Sequence, residues 1–332
     1  MDSNVGMVNI SRSAKTVNAY LKRGQQLWNR ASSNYDLPRE YLEINQFISY
    51  LVELLTTLKK ATRRQYLASA REYVNQLVKH QNISHIHFNL HELEKLNQLK
   101  ASDFESRLTL KTNTKLNTSS QKAKQIKNID LKILIEKINV MRGKWIKPSL
   151  IWMTANILVG LRPTEWRYAE LLKNEKHQLV LRVVNAKNSN NRAHGICRHI
   201  DCKDLASVEL DLLNRQLSIA FSNSLSDISW QNYYEGCRKS IHKITRKYLS
   251  ERQKYPTLYS TRHQFAANAK SSGMTKAEIA ALMGHASDQT AGSHYGKKKH
   301  GMGVCRTKAI MSEVQRVRIK TDNKKYTNLR LN

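Results

Sequence analysis

The sequence predicts a mainly α-helical protein with a small β-hairpin, arranged in two domains. Across most of the 332 residues, apolar side chains recur every three or four positions, the period of an amphipathic helix. One short stretch alternates apolar and polar residues on both sides of a turn, which is typical of a hairpin. A polar segment at residues 107–126 separates two regions with such patterns, and a chain of this length commonly forms about two domains.

The chain carries a large excess of positive charge. Its 56 Lys and Arg residues against 26 Asp and Glu residues give a net charge of +30. A compact domain with this charge repels itself, and a polyanion is the usual compensating partner. Nucleic acid is therefore the first candidate partner, and a ribosomal or membrane-surface protein is the alternative. Since the sequence contains neither a long apolar run nor an apolar signal core, we expect a cytoplasmic, DNA-associated protein with its 4 cysteines reduced.

The first predicted domain, residues 10–106, is a bundle of helices. These helices are predicted at residues 14–30, 42–55, 62–78 and 90–104. In the second helix, five apolar residues spaced from Ile44 to Leu55 share one face. The third helix leaves three arginines for its outer face, where we expect them to bind DNA: Arg63, Arg64 and Arg71.

Residues 107–126 are rich in Thr, Asn, Ser and Lys, and they are predicted to be an interdomain linker. Its basic residues are expected to lie along a phosphate backbone: Lys111, Lys115, Lys122 and Lys124.

The second predicted domain covers residues 127–306. Its first helical patterns, residues 129–142 and 148–160, are separated at Pro148. Strands at 179–187 and 192–200 flank a polar turn of four residues, which predicts a hairpin. The remainder is predicted to be helical, with a helix at 230–249 whose Lys239 and Lys243 are expected to bind DNA, and a short helix that starts at the Thr275 capping box and ends at Gly284.

A cluster of potential metal ligands falls within the predicted hairpin. The segment 194–202 contains His194, Cys197, His199 and Cys202. A zinc site would need a second ligand pair at a defined spacing, and the alternation of these residues is instead typical of a strand. The sequence therefore predicts no metal and no other cofactor.

Four residues stand in positions suited to phosphodiester chemistry. Arg162 lies in the turn that follows Gly160, Arg262 is near the start of a helix, His285 directly follows a helix end, and Tyr295 comes ten residues later. Arginines can hold the non-bridging oxygens of a phosphate, where negative charge develops during attack, and a tyrosine can act as the nucleophile. Taken alone, each arginine could be a surface residue and Tyr295 could be a packing residue.

Taken together, these residues resemble the tyrosine recombinase (phage integrase) family. Its pattern is an arginine in a G-L-R-x-x-E turn, a lysine in a β-hairpin, an H-x-x-R box, an L-G-H box and a tyrosine about nine residues further on. The resemblance covers residues 127–300 by motif and 10–125 more weakly. It implies a helical core-binding (SAM-like) domain and an α+β catalytic domain that form a C-shaped clamp on DNA.

The family's activity would be site-specific recombination. The resemblance implies strand cleavage through a 3′-phosphotyrosyl intermediate and a Holliday junction, which integrates or excises a mobile element without ATP or metal. The implied partners are double-stranded DNA core sites, other copies of the chain in a tetramer, and accessory DNA-bending or directionality factors. A non-cleaving DNA-binding protein of the same fold and a type IB topoisomerase-like enzyme are the alternatives.

The resemblance also implies roles for further residues. Lys187, in the hairpin, matches the lysine that protonates the leaving 5′ oxygen, although a turn lysine that contacts phosphate is an alternative. Glu165 matches an acidic residue that orients its neighbours, and a glutamate in the first turn of a helix is the simpler reading. Lys297 and Lys298, just after Tyr295, are expected to bind DNA.

The sequence departs from the family pattern in two places. Tyr259 occupies the position of the usual histidine in the box that contains Arg262, and a phenol shuttles protons less readily at neutral pH. His285 or Tyr259 could help Tyr295 lose its proton. The spacing from His285 to Tyr295 is ten residues rather than nine. The neighbouring His263 and His294 are interpreted as structural or DNA-proximal. The tail, residues 307–332, is expected either to dock on a neighbouring copy or to cover its own domain.

Overall fold

The structure is a computed structural model that describes residues 14–58, 60–80, 90–104, 123–138, 140–186, 188, 193–290 and 295–320. The chain divides into two compact units, residues 1–115 and 116–332. Each unit has its own hydrophobic core. The fold is mainly helical with a small antiparallel sheet, which confirms the predicted fold class. None of the helices in these ranges is long and apolar enough to cross a membrane.

The first unit contains four helices in its described ranges. They are α1 (Ala14–Asn34), α2 (Ile44–Thr56), α3 (Lys60–His80) and α4 (Leu90–Gln98). All four coincide with predicted helices. The five apolar residues of α2 from Ile44 to Leu55 are buried on one face, and Phe47 packs its ring 4.9 Å from that of Trp28 on α1. The helical period of these residues therefore defines the core face.

Arg63 occupies the interior of this unit rather than the predicted outer face. Only 3% of the residue is exposed. Its guanidinium donates to the carbonyl oxygens of Leu55, at 2.7 Å, and of Phe104. Arg71, which is half-buried, donates to the carbonyls of Leu96 and Leu99. Arg63 thus satisfies backbone acceptors left at the end of α2 and after α4, a structural role that the periodicity did not reveal.

The second unit contains seven α-helices in its described ranges. They are α5 (Asn128–Ile138), α6 (Ile146–Val159), α7 (Ser207–Ser222), α8 (Asp227–Tyr248), α9 (Leu258–Ser271), α10 (Lys276–Leu282) and α11 (Met311–Gln315), with short 3-10 helices at Pro163–Tyr168 and Lys298–His300. Trp152 of α6 stacks on Tyr233 of α8 at 5.0 Å. Ten of the 14 residues of α9 are buried, including Arg262. A polar residue on α9 therefore lies inside the unit and must find partners there.

Four strands form the sheet, in the order β1 (Glu170–Lys173), β2 (Leu179–Val184), β3 (Cys197–Asp201) and β4 (Lys308–Ala309). β2 and β3 pair antiparallel with Val184 opposite Cys197, which confirms the predicted hairpin with shorter strands. β1 and β4 were not predicted from the sequence, because strands of 4 and 2 residues carry too little alternation to recognise.

The end of the predicted linker belongs to the second unit. Ser260 Oγ donates to the carbonyl oxygen of Ala123 at 2.6 Å. The backbone N–H of Ile126 donates to Gln264 Oε1 at 2.9 Å, and Ile126 is 1% exposed in the core. Residues 123–126 are therefore anchored to α9 instead of forming a free connection.

The described part of the tail packs on its own unit. Val317 is buried against Ala280 and Ala281 of α10. The backbone N–H of Arg318 donates to the Ala286 carbonyl at 2.9 Å. Residues 307–320 thus cover their own unit, one of the two arrangements that the sequence allowed, while residues 321–332 lie outside the described ranges.

Candidate active site

The turn after α6 places Arg162 and Glu165 in the interior. α6 ends at Gly160 in the left-handed conformation, with φ 64°, which glycine adopts without a Cβ clash. The Glu165 carboxylate accepts from the backbone N–H of Arg162 at 2.7 Å and from Arg162 Nη1 at 2.5 Å. The pair therefore closes the turn and holds both side chains together.

Glu165 lies at the centre of three arginines. Besides Arg162, it receives Arg198 Nη2 at 2.9 Å and has Arg262 Nη1 at 3.7 Å. Burial raises the pKa of this carboxyl, but the guanidiniums of Arg198, Arg262 and Arg162 outweigh that effect and hold the pKa far below its usual range. Glu165 is therefore ionised, and three positive charges against one negative charge leave the pocket with two positive charges.

Sequence reasoning missed Arg198. It lies on β3 and is fully buried, on the same inward face as Ile200. The alternation of the strand places Arg198 on its inward face, and this position could have revealed the residue. A charged side chain that is buried needs partners, so an inward arginine indicates a buried network of polar groups.

Arg262 is held by the backbone around it. Its Nη1 donates to the Gly160 carbonyl at 2.5 Å and its Nη2 to the Met283 carbonyl at 2.6 Å. The Nε atom lies 3.4 Å from Tyr295 Oη. Arg262 thus connects the Gly160 turn, the end of α10 and Tyr295.

His285 follows Gly284, which also has φ 64°. Its Nε2 lies 3.2 Å from Arg262 Nη2, and because a guanidinium only donates, Nε2 accepts and Nδ1 carries the proton. Burial, followed by the neighbouring charges of Arg262, Arg162 and Arg198, lowers the pKa of His285 to about 2. The imidazole is therefore neutral, and its ring lies 5.1 Å from that of Tyr295.

Tyr295 and Tyr259 form a pair of phenols. Their hydroxyl oxygens lie 3.2 Å apart. Burial raises the pKa of Tyr295, but the charge of Arg262 and the hydrogen bonds from Tyr259 and Arg262 outweigh it and lower the pKa below its usual value. Burial and the neighbouring Tyr295 raise the pKa of Tyr259 to about 12. In the pair, Tyr295 is thus the group that ionises and Tyr259 is the donor.

His263 lies beside both phenols. Its ring is 5.5 Å from that of Tyr259 and 5.1 Å from that of Tyr295. Burial lowers its pKa to about 4, with Lys124, Arg262 and Lys270 acting in the same direction, so this imidazole is also neutral near pH 7. The predicted His294 lies outside the described residues.

The structure brings together six of the seven residues predicted to be catalytic: Arg162, Glu165, Tyr259, Arg262, His285 and Tyr295. The seventh, Lys187, lies outside the described residues. Its neighbour Ala186 directs its backbone N–H to Glu165 Oε1 at 3.4 Å. The segment that follows β2 therefore reaches the site at Ala186.

The residues predicted to bind DNA differ in their exposure. Six are exposed: Arg64, Lys124, Lys239, Lys243, Lys297 and Lys298. Arg71 is half-buried, and Arg63 is buried as described above. The remaining three fall outside the described residues: Lys111, Lys115 and Lys122.

The histidines of the segment 194–202 bind a carboxylate. Glu313 accepts from His194 Nε2 at 3.0 Å and contacts His199 Nδ1 at 3.1 Å. Within the described ranges, no group of three His, Cys, Asp or Glu side chains is arranged to hold a metal ion. These contacts tie β3 to α11.

No protein-family model matches the sequence, and no curated protein matches it. Among solved structures, the chain is similar to a lambda integrase dimer bound to a COC′ core site, with a TM-score of 0.52 and 12% identity over 89% of this chain and 75% of that one. It is also similar to the XerH site-specific recombinase in a post-cleavage complex with palindromic difH substrate, with a TM-score of 0.47 and 14% identity over 86% and 77%. A third is the Tn1549 transposon integrase in complex with transposon right end DNA, with a TM-score of 0.45 and 13% identity over 86% and 89%. The similar structures are recombinases and integrases, as the motifs predicted, and at this identity the likeness to lambda integrase establishes the fold.

Proposed function

We propose that this chain is a site-specific DNA recombinase of the tyrosine recombinase family, with Tyr295 as its nucleophile. The observation that carries the proposal is the position of Tyr295 Oη, 3.4 Å from Arg262 Nε and 3.2 Å from Tyr259 Oη, beside a pocket with excess positive charge. A phenol with a lowered pKa next to fixed guanidiniums is suited to attack a phosphodiester.

Arg162 is the arginine best placed to bind the phosphate. Its Nη1 binds Glu165, but its Nε is buried with no hydrogen-bond partner among the described residues. A buried donor without a partner is costly unless a ligand satisfies it. A phosphate oxygen would accept a hydrogen bond from Arg162 Nε. Its negative charge would also offset part of the positive charge of the arginines that Glu165 does not neutralise.

The covalent step exchanges one phosphate ester for another. The Tyr295 phenol loses its proton to water, its Oη forms a bond to phosphorus, and the bond from phosphorus to the 5′ oxygen breaks. The 5′ oxygen takes up a proton and leaves as a hydroxyl, while the 3′ end stays attached to Tyr295. Because the phosphotyrosyl ester conserves the energy of the broken bond, the reverse reaction rejoins DNA without ATP.

The neighbouring groups divide the remaining tasks. Tyr259 donates a hydrogen bond that stabilises the Tyr295 phenolate, and Arg262 adds its charge. His285 keeps its basic nitrogen on Arg262 and orients that side chain. We assign protonation of the 5′ oxygen to Lys187, on the family resemblance and the position of the adjoining Ala186 at the site.

The two units divide DNA binding between them in this proposal. The helical first unit acts as the core-binding domain and contacts DNA through exposed residues such as Arg64. In the second unit, exposed lysines near the site and on α8 bind phosphates: Lys124, Lys239, Lys243, Lys297 and Lys298. Four copies would assemble on two core sites, exchange strands through a Holliday junction and integrate or excise a mobile element, with accessory DNA-bending factors.

The test is a covalent trap. Protection mapping on DNA that flanks the gene gives the bound site, and a nicked duplex of that site prevents religation after cleavage. We expect wild-type protein to form a covalent complex with this duplex and Tyr295→Phe to bind it with unchanged affinity but form none. A Tyr295→Phe adduct would disprove the choice of nucleophile.

The same preparation separates the alternatives. Tight binding by wild type without any adduct would indicate a non-cleaving DNA-binding protein. Relaxation of a plasmid that lacks the protected site would indicate a topoisomerase.

A further inference from the structure

All three guanidinium nitrogens of Arg198 donate to acceptors inside the protein. Its Nε donates to the Leu282 carbonyl at 2.8 Å, its Nη2 to Glu165 Oε2 at 2.9 Å, and its Nη1 to Asn185 Oδ1. The side chain is fully buried. Each nitrogen of Arg198 thus already donates to a protein acceptor, in contrast to Arg162, whose buried Nε has no partner among the described residues.

These three bonds join elements that are distant in sequence. Glu165 belongs to the 3-10 helix after α6, Asn185 follows β2, and Leu282 is the last residue of α10. His285 comes three residues after Leu282. One guanidinium thus connects the elements that carry Arg162, the hairpin and His285.

Gly284 makes room for this connection. A Cβ on residue 284 would collide with Asn185 Oδ1 and with Arg198 Nη1. The glycine directly before His285 therefore serves the Arg198–Asn185 pair as well as the left-handed turn.

The distances around Glu165 indicate what Arg198 does to the charge of the pocket. Arg198 Nη2 lies 2.9 Å from Glu165 Oε2, whereas Arg262 Nη1 lies 3.7 Å from the same oxygen. Arg198 is thus the closer counter-ion of that oxygen. If it were absent, the carboxylate could turn to Arg262 and neutralise the charge that a phosphate needs.

We propose that Arg198 is a positioning residue, which holds the Glu165 carboxylate away from Arg262 and thereby keeps Arg162 and Arg262 available for the scissile phosphate. This inference rests on the proposed function. Arg198 itself does not touch the substrate, so its loss acts on the rate of cleavage at saturating DNA and leaves DNA affinity nearly unchanged.

The experiment compares Arg198→Lys with Arg182→Lys. Arg182 is a half-buried arginine on β2 that pairs with Glu170 outside the site, so Arg182→Lys is the matched control for loss of a guanidinium in the sheet. Lysine keeps the charge but cannot replace three fixed donors in three directions. We expect Arg198→Lys to cleave the nicked duplex about 10- to 100-fold more slowly at saturating DNA, as for loss of a charged hydrogen bond, while Arg182→Lys stays within about twofold of wild type.

The route through Glu165 is tested by combining variants. If Arg198 acts by restraining Glu165, then Arg198→Lys with Glu165→Gln is no slower than Arg198→Lys alone, because the neutral amide no longer competes for Arg262. Independent effects that multiply in the double variant would overturn the proposal, as would a wild-type rate for Arg198→Lys. A 5′-bridging phosphorothiolate substrate has a leaving group that needs no proton donor. If Arg198→Lys cleaves this substrate at the wild-type rate, its defect lies in protonation of the leaving group by the hairpin, and the proposal is overturned.

Folding is checked by circular dichroism and thermal unfolding of each variant. If Arg198→Lys does not fold, the cleavage rate of Asn185→Ala tests the proposal instead. This variant removes one acceptor of Arg198 and leaves all charges in place. We expect a several-fold slower rate at saturating DNA for this variant, and an unchanged rate would overturn the proposal. Failure of wild type to form any adduct disproves the proposed function itself and is distinguished by the wild-type control.

Discussion

Removal of the Tyr259 hydroxyl isolates one contribution to the reactivity of Tyr295. In the structure, the two hydroxyl oxygens lie 3.2 Å apart, and Tyr259 has the higher pKa, raised to about 12, so Tyr259 donates and the Tyr295 oxygen accepts. This hydrogen bond stabilises the phenolate more than the neutral phenol. Tyr259→Phe should therefore raise the pKa of Tyr295.

The size of the effect follows from the charge of the acceptor. A hydrogen bond to a charged group contributes roughly 1.5–3 kcal/mol, and one pKa unit corresponds to about 1.4 kcal/mol. We expect the pKa of Tyr295 to rise by about one to two units, so that cleavage near neutral pH slows about 10- to 100-fold. Above the raised pKa, the variant and wild type should cleave at similar rates, because Tyr295 is then ionised in both.

The assay is the single-turnover rate of covalent-complex formation on the nicked duplex, measured across a range of pH. Tyr255→Phe is the matched control, because it removes a hydroxyl that donates to the Ser250 carbonyl away from the site. A Tyr259→Phe profile that coincides with wild type, or that moves to lower pH, would refute the donor role of Tyr259. A uniform loss of rate at every pH would instead assign Tyr259 to phosphate binding.

The remaining predictions concern stability, DNA affinity and the pH dependence of stability. Arg63→Met leaves three backbone carbonyls without their buried donor, so the free energy of unfolding of the first unit should fall by about 2–4 kcal/mol in urea titrations. Arg64→Met, on the exposed side of the same helix, should leave stability unchanged and reduce the salt slope of DNA binding by about one; equal stability losses in both variants would contradict this assignment. The neutral His285 predicts acid sensitivity: its folded pKa is lowered to about 2, so the unfolded state binds more protons and stability falls as pH drops below about 6.5. In denaturation titrations at several pH values, the free energy of unfolding of His285→Gln should fall less steeply with acid, by up to about 1.4 kcal/mol per pH unit. An unchanged pH dependence would show that His285 is charged in the folded protein.

The sequence predicted the helices well where one face is apolar. The residues of α2 from Ile44 to Leu55 repeat with the helical period, and burial of that face is local information. The hairpin was likewise visible, because β2 and β3 alternate on both sides of a polar turn. β1 and β4 were missed, since short strands are specified by their pairing partners rather than by their own pattern.

The motif residues within the described ranges lie close together in the structure. Arg162 and Glu165 are three residues apart and form their pair within one turn, so their contact follows from local geometry. The contacts of Arg262 with the Gly160 and Met283 carbonyls join segments far apart in the sequence. Only the folded chain brings these carbonyls within reach of one guanidinium.

What the sequence by itself determined is the set of candidate catalytic side chains, the period of the helices and the positive charge that favours a polyanion. The tertiary structure alone decided that Arg63 and Arg198 are buried and bind protein acceptors, that His285 is neutral and that Tyr259 faces Tyr295. The physical reason is that the role of a long polar side chain depends on which acceptors lie within hydrogen-bond distance. Those acceptors come from elements distant in sequence, as with Arg198, whose partners lie in the Glu165 turn, after β2 and at the end of α10.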